Sequence, residues 1–377
     1  MRTSAWCTIA TAFGVLAGCG TLEPPSGPQP PERRIAPERR VLKSAAQSAR
    51  LIPARVSDRN GWAEDLQAAM AALEIEPNGQ NVCAVLAVLE QESDFRVDPV
   101  VPGLSRIARL EIEKRREQAG VPKFMVDAAL KLASSNGRSY GEELAAAKTE
   151  RQLSDLFEDF AGRVPLGKRL FADFNPVRSA GPMQVSVSFA QAYAQSKRYP
   201  FGMSGSVRQE VFTRRGGIYF GIAHLLDYPA PYDDLAYRFA DFNAGRHASR
   251  NAAFQKAVGA LTGVEVPLDG DLLRYEQGRP LREASRTELA TRRLAVHFEM
   301  TPADVRRDLE LAHTAEFERS RLYLSVFTLQ DGVLGKPAPR AVLPSIVVDT
   351  SKTTRRLTTE SYAARVGGRY RNCLARL

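Results

Sequence analysis

The chain has 377 residues, of which 44% are hydrophobic and 25% charged, and a formal net charge of +9. That length suits one large domain or two smaller ones, and the apolar content supports a real core and excludes an intrinsically disordered protein. No apolar run is long enough to cross a bilayer, which excludes a helical membrane domain, and the basic balance draws polyanions without specifying which.

The chain opens with one early charge, Arg2, and an apolar run from Cys7 to Gly18 that closes on Leu16-Ala17-Gly18-Cys19. The run is too short for a transmembrane helix and has the build of a signal peptide, with small residues before the cleavage point. A small-residue box ending in Cys resembles the bacterial lipoprotein processing site, which implies that residues 1–18 are removed and that Cys19 carries a lipid anchor in the membrane. The alternatives are an ordinary signal peptide with an incidental Cys, or a buried helix. Gly20 stands after Cys19 in place of Asp, which by the same resemblance implies the periplasmic face of the outer membrane. Residues 19–57 are rich in Pro, Arg, Gln and Ser, with Pro24-Pro25, Pro28, Pro30-Pro31 and Pro37, and are predicted to form an extended tether. A periplasmic address offers the basic surface stem peptides and anionic lipid head groups, so no nucleic acid is expected. Pairs such as Arg292-Arg293 and Arg306-Arg307 read as solvated faces.

Alternating Ala, Leu and charged residues then predict helices over Trp62 to Leu73, Val82 to Glu92, Arg106 to Glu117, Phe124 to Ser134 and Glu142 to Phe160. Further helices are predicted over Gly216 to Leu226, Leu235 to Phe242, Asn251 to Val258, Ser285 to Phe298 and Pro302 to Leu311. Ala341 to Val348 and Arg356 to Tyr362 are β-branched enough for a small strand pair. The fold class is mainly α, with no internal repeat. Cys7 leaves with the signal and Cys19 is modified, so Cys83 and Cys373 remain as a possible disulfide in an oxidising compartment, with two buried thiols as the alternative. Their spacing resembles no metal site, the scattered His224, His247, His297 and His313 supply none, and no metal or organic cofactor is expected.

Three segments carry chemistry. On the helix ending at Glu92, at roughly 100° per residue, Glu92 shares a stripe with Val85, Val88 and Leu89, while Glu90 lies nearly opposite, beside Cys83. A carboxyl projecting from an apolar face keeps its proton to higher pH and can act as a general acid; for a Glu alone, a solvated side chain at a frayed helix end is the commoner case. The segment Ser179-Ala180-Gly181-Pro182-Met183-Gln184-Val185 joins a glycine that admits close backbone approach, an apolar Met183 and an amide, Gln184, able to hydrogen-bond a sugar N-acetyl group. The alternative there is an ordinary Gly-Pro turn. Leu235, Phe239 and Phe242 follow i, i+4, i+7 spacing, and Asn243-Ala244-Gly245 makes a helix exit tolerant of left-handed φ.

In this order, Leu89 to Phe95 with its Glu92-Ser93, Ser179 to Val185, and Phe239 to Gly245 resemble the three motifs of the lysozyme-like lytic transglycosylases. Those motifs are a helix ending in Glu-Ser, a Gly-Leu-Met-Gln turn and a Tyr-Asn-Ala-Gly helix end. The resemblance implies a lysozyme-like core over 58–262 and a C-terminal α(+β) extension over 263–377, with Glu92 as the catalytic acid and base. It further implies substrate contacts from Ser93, Ser179, Gly181, Met183, Gln184, Phe242 and Asn243, and peptidoglycan glycan strands as substrate. The implied reaction is non-hydrolytic cleavage of the bond between N-acetylmuramic acid and N-acetylglucosamine, leaving a 1,6-anhydro end. Three departures stand out. Pro182 replaces a Leu; a helical insertion at about 100–173 separates motifs that the family keeps close; and Phe242 replaces a Tyr whose hydroxyl sits near the acid, leaving that role lost or taken over by Tyr237 or a water. Two other readings stay open: a lysozyme-type hydrolase with Asp94, Asp98 or Asp241 positioning water, and a non-catalytic envelope lipoprotein that keeps a glycan-binding groove.

Overall fold

The computed structural model describes residues 36–163, 175–203, 205–276, 278–348 and 357–377, and within them the chain is mainly helical. The signal segment, Cys19, the earlier part of the tether and the end of the insertion lie outside the described residues. The tether expected up to residue 57 is corrected at its later end. Helix α1 (Ala45–Leu51) is capped by Ser44, which accepts from the Gln47 N–H, and Leu42, Ala49, Leu51 and Ile52 are buried in the core. These few apolar residues are hidden among Pro and Arg when composition is averaged, yet they suffice to pack the segment on α2 (Arg59–Ala72).

The site-bearing helix α3 (Gly79–Glu92) follows, capped by Asn78. The insertion then leaves and returns at one place: Val100 bridges Thr149 antiparallel, and the Val101 N–H donates to the Lys148 carbonyl at 2.9 Å. Between them stand α4 (Leu104–Gln118), α5 (Lys123–Lys131) and α6 (Tyr140–Ala146), and beyond them α7 (Glu150–Arg163). The single helix predicted over Glu142 to Phe160 is two, because the Gln152 side chain turns back to accept from the Lys148 and Thr149 N–H groups and starts a new helix there. Helices α4 to α7 enclose a cavity of about 510 Å³ lined by apolar side chains, among them Ile112, Val126, Leu130, Leu156 and Phe160.

A two-residue hairpin, β1 (Ser179–Ala180) with β2 (Val185–Ser186), leads into α8 (Val187–Ser196), α9 (Val207–Val211), α10 (Arg214–Leu226) and α11 (Leu235–Ala244). Next come α12 (Ala248–Thr262), the hairpin β3 (Tyr275–Glu276) with β4 (Arg279–Pro280), and α13 (Arg286–Ala295), α14 (Pro302–Leu309) and α15 (Arg321–Leu334). The strand pair expected near the C-terminus is present but brief, β5 (Val347–Val348) against β6 (Leu357–Thr358). The second expected strand gives way at Thr359 to the helix α16 (Thr359–Leu374), started by a capping box between Thr358 and Ser361.

Two apolar cores serve the single compact unit Pro37–Leu377. One runs from Leu42 to Ala240 and takes in Tyr362, Ala363, Val366 and Cys373 of α16. The other joins Ala253 to Ala338. Residues 263–377 are therefore not one appendage: α13 to α15 build the second core on α12, and α16 returns to the first.

Candidate functional site

Helix α3 is a buried rod. Val82 to Leu89 are each at most 2% exposed, so the helix is fixed on all sides and its C-terminal turn delivers a half-buried Glu92 to a constant place. After it the backbone leaves abruptly: Asp94 and Phe95 take φ of 51° and 58°, a left-handed conformation that costs a non-glycine residue about 1–3 kcal/mol. Phe95 is anchored by an edge-on contact with Trp62 at 5.5 Å. Ser93 is 6% exposed and its hydroxyl donates to the Leu89 carbonyl at 3.3 Å. That bond holds the Ser93 hydroxyl at the helix end and leaves little of it exposed. Glu90 and Asp94 share Arg55, at 2.8 and 2.6 Å.

The second motif is a tight turn seated on α10. Gly181 has φ +74°, and a Cβ there would lie 2.0 Å from the Val211 carbonyl oxygen, so only glycine fits. Pro182 and Met183 press into the glycine stripe of α10: a Cβ at Gly217 would meet Pro182 Cδ at 2.4 Å, and one at Gly221 would meet the Met183 sulfur at 2.2 Å. Met183 is wholly buried, so the apolar surface expected of it is turned inward and locks the turn. Gly181 is buried likewise. The polar edge that remains is Gln184, half-buried with φ 50°; its amide donates to the Gly181 carbonyl at 3.2 Å and accepts from the Ser179 hydroxyl at 3.3 Å.

At the third motif, Asp241 is the organiser. It is 1% exposed and accepts from the Tyr228 and Tyr232 hydroxyls and from the His247 and Ser249 N–H groups. Burial pushes its carboxyl above the usual range, against these hydrogen bonds, which pull it back. His224 packs against Phe189 and Phe242, with ring centres 4.6 and 5.1 Å away. Burial, aided by the Arg246 guanidinium, lowers its pKa to about 3, so it is a neutral packing residue. Phe242 is a half-buried part of this cluster, whereas Asn243 is exposed. Tyr237 is tilted against Tyr232, with ring centres 5.3 Å apart, and the phenol partner that Glu92 shows is a different one.

That partner comes from the end of the chain. Helix α16 packs on both α3 and α11. Its Tyr362 hydroxyl donates to Glu92 Oε1 at 2.5 Å, and one turn earlier the Thr359 hydroxyl donates to Asn243 Oδ1 at 3.3 Å. One turn of α16 thus ties the first motif to the third, while the second reaches them through α10, which packs on α3 and α11. Burial first, and the Glu92 charge second, hold the Tyr362 phenol well above its ordinary pKa, so it stays a neutral donor. The Cys83–Cys373 disulfide joins the opposite ends of the same two helices, with Cα atoms 5.5 Å apart. Sequence reasoning found the cysteine pair but missed Tyr362, because Arg356 to Tyr362 reads as a strand and lies 270 residues from Glu92. Among the described residues no group of three or more His, Cys, Asp and Glu is arranged to hold a metal.

No solved structure matches the chain. It is 47% identical over 360 residues to a protein of Escherichia coli strain K12 described as "Uncharacterized protein YaiW", a match that covers 96% of this chain and 95% of that one. The model of the family described as "Protein of unknown function (DUF1615)" matches residues 55–376, which take in α3, the insertion, the turn at Gly181 and α16 alike, and the chain belongs to this family.

Proposed function

We infer that the protein is a lipid-anchored peptidoglycan lytic transglycosylase with a lysozyme-like core, working on glycan strands at the periplasmic face of the outer membrane. The observation that carries the reading is one carboxyl, Glu92, held at the end of a buried helix and hydrogen-bonded by a neutral phenol. Of the carboxylates named for a lysozyme-type hydrolase, Asp241 is spent on four internal donors, and Asp94 is held by Arg55. A single-acid mechanism suits this arrangement better than the two-carboxylate scheme of hydrolases. Glu92 gives its proton to the glycosidic oxygen as the C1–O bond breaks and the substrate's own N-acetyl oxygen closes on C1. The muramyl O6 hydroxyl then attacks C1, displaces that oxygen and returns a proton to Glu92, leaving a 1,6-anhydro end. Gln184 and Asn243 present amides for the sugar N-acetyl and hydroxyl groups.

The test is product analysis. Purified soluble protein should release 1,6-anhydromuropeptides from sacculi, and Glu92→Gln should reduce that release by ~10²–10⁴-fold, the usual loss when general acid–base catalysis goes. Glu90→Gln, on the Arg55 side of the helix, should retain most activity. Reducing-end products would favour a hydrolase, and binding without release by the wild type would sink the catalytic reading in favour of a glycan-binding lipoprotein.

A further inference from the structure

Helices α3 and α16 run antiparallel and are joined twice. Cys83 and Glu92 are nine residues apart, and Tyr362 and Cys373 eleven, or roughly 14 and 17 Å along helices that rise about 1.5 Å per residue. The disulfide therefore closes one end of the pair and the Tyr362–Glu92 hydrogen bond the other. Between them Ala363 and Val366 are buried at 3% and 0% exposure, so α16 has no freedom to slide without breaking one join or the other. Phe242 of α11 meanwhile offers no hydroxyl.

We propose that Tyr362 is the positioning residue of the acid, reaching it from the C-terminal helix, and that α16 is a fixed wall of the catalytic centre. The inference rests on the reading of Glu92 as general acid. The phenol keeps its own proton throughout the cycle. Its O–H holds the Glu92 carboxyl in one orientation while the proton passes to the glycosidic oxygen, and then stabilises the carboxylate left behind until O6 returns a proton. A donor to the charged form favours that form, so deleting the hydroxyl should let Glu92 keep its proton to higher pH.

Among the described residues, charged groups on the elements packed around the pair have these partners. On α16, Arg365 and Arg369 bear on Tyr362 and favour its ionised form, against burial and Glu92. On α3, Glu90 is bound to Arg55. On α11, Asp241 is enclosed by its donors, and Arg238 donates to the Leu225 and Tyr228 carbonyls. On α10, Arg214 and Arg215 are paired with Asp65, and His224 is neutral. Glu38 and Arg39 belong to the turn before α1, which packs on α3.

The experiment compares wild type and Tyr362→Phe, which keeps the ring and its packing. On sacculi, the variant should lose at least about tenfold in anhydromuropeptide release, and the high-pH limb of its pH profile should move up by about one unit. A profile and rate equal to wild type would overturn the proposal. A second readout needs no catalysis: the Glu92 carboxyl band, assigned by difference infrared spectroscopy against Glu92→Gln, should titrate at higher pH in Tyr362→Phe. If the wild type releases nothing yet this band moves, the transglycosylase reading falls and the Tyr362–Glu92 coupling stands; if the band does not move, the positioning role falls. Should Tyr362→Phe fail to fold, the wild type alone decides, because a buried tyrosine C–O stretch should shift with the same midpoint as the Glu92 band, and its failure to do so overturns the proposal.

Discussion

The insertion and the C-terminal helix are both additions to the segments that carry the three motifs, and they are attached in opposite ways. Helices α4 to α6 enter and leave through one backbone pairing at Val101 and Lys148, pack chiefly on one another and on α7, and surround a cavity of about 510 Å³. Helix α5 buries none of its residues, and Phe124 and Met125 remain 71% and 53% exposed. Helix α16, by contrast, is packed on α3 and α11, covalently closed at one end and hydrogen-bonded to Glu92 at the other. The insertion interrupts the motifs in sequence without standing between them in space. The tail lies far from them in sequence and touches two of them.

The strongest way to break this contrast is to remove each part. Ending the chain after Thr358 strips Tyr362, Ala363, Val366 and Cys373 from the first core and exposes the faces of α3 and α11 that they cover. The shortened chain should lose its cooperative thermal transition. Joining Val101 to Lys148 by a short Gly-Ser link removes α4 to α6 where the two backbones already meet at 2.9 Å. That protein should keep a cooperative transition, a few degrees lower, and keep Glu92-dependent cleavage. A truncated chain that melts like the full one, or an excised chain that does not fold, would reverse the comparison.

A smaller effect isolates the covalent join. Cys83→Ser with Cys373→Ser deletes a cross-link spanning 290 residues and should cost about 2–5 kcal/mol, read as a fall in the denaturant midpoint with a steeper slope, since the unfolded chain is no longer closed into a loop. Because Tyr362 still anchors the far end of α16, cleavage should fall less than in Tyr362→Phe. A double variant as stable as wild type would show that packing alone holds the helix.

How much of this was legible in the sequence follows from the range of the forces involved. The periodic helices from Trp62 to Leu311 were readable because a helix is a local pattern, and the class of the fold with them. The helix α3 was readable for the same reason, but not its burial on every side, since Val82 to Leu89 leave no solvent face. Met183 was misassigned because a Gly-Pro-Met-Gln turn does not reveal which side faces α10; that depends on glycines 217 and 221, more than thirty residues on. The backbone bond of Ser93 was not readable, because a serine at a helix end can serve backbone or ligand equally well. The contact of Tyr362 with Glu92 was out of reach, since no periodicity links residues in two separate helices.

The smallest test sets the same substitution in both regions and expects opposite signs. Ala363 is 3% exposed on the face of α16 that packs in the first core, where three extra carbons must displace close-packed neighbours; Ala363→Leu should cost about 1–3 kcal/mol. Ala129 lines the cavity of the insertion, where the same carbons find unfilled apolar space and gain burial at about 0.8 kcal/mol for each methylene fully covered. Since Ala129 is only half-buried, Ala129→Leu should be neutral or stabilise by about 1 kcal/mol. Denaturant unfolding of the two variants side by side measures both. Equal destabilisation by the two would mean that the insertion is packed as tightly as α16, and the contrast between them would be one of sequence position alone.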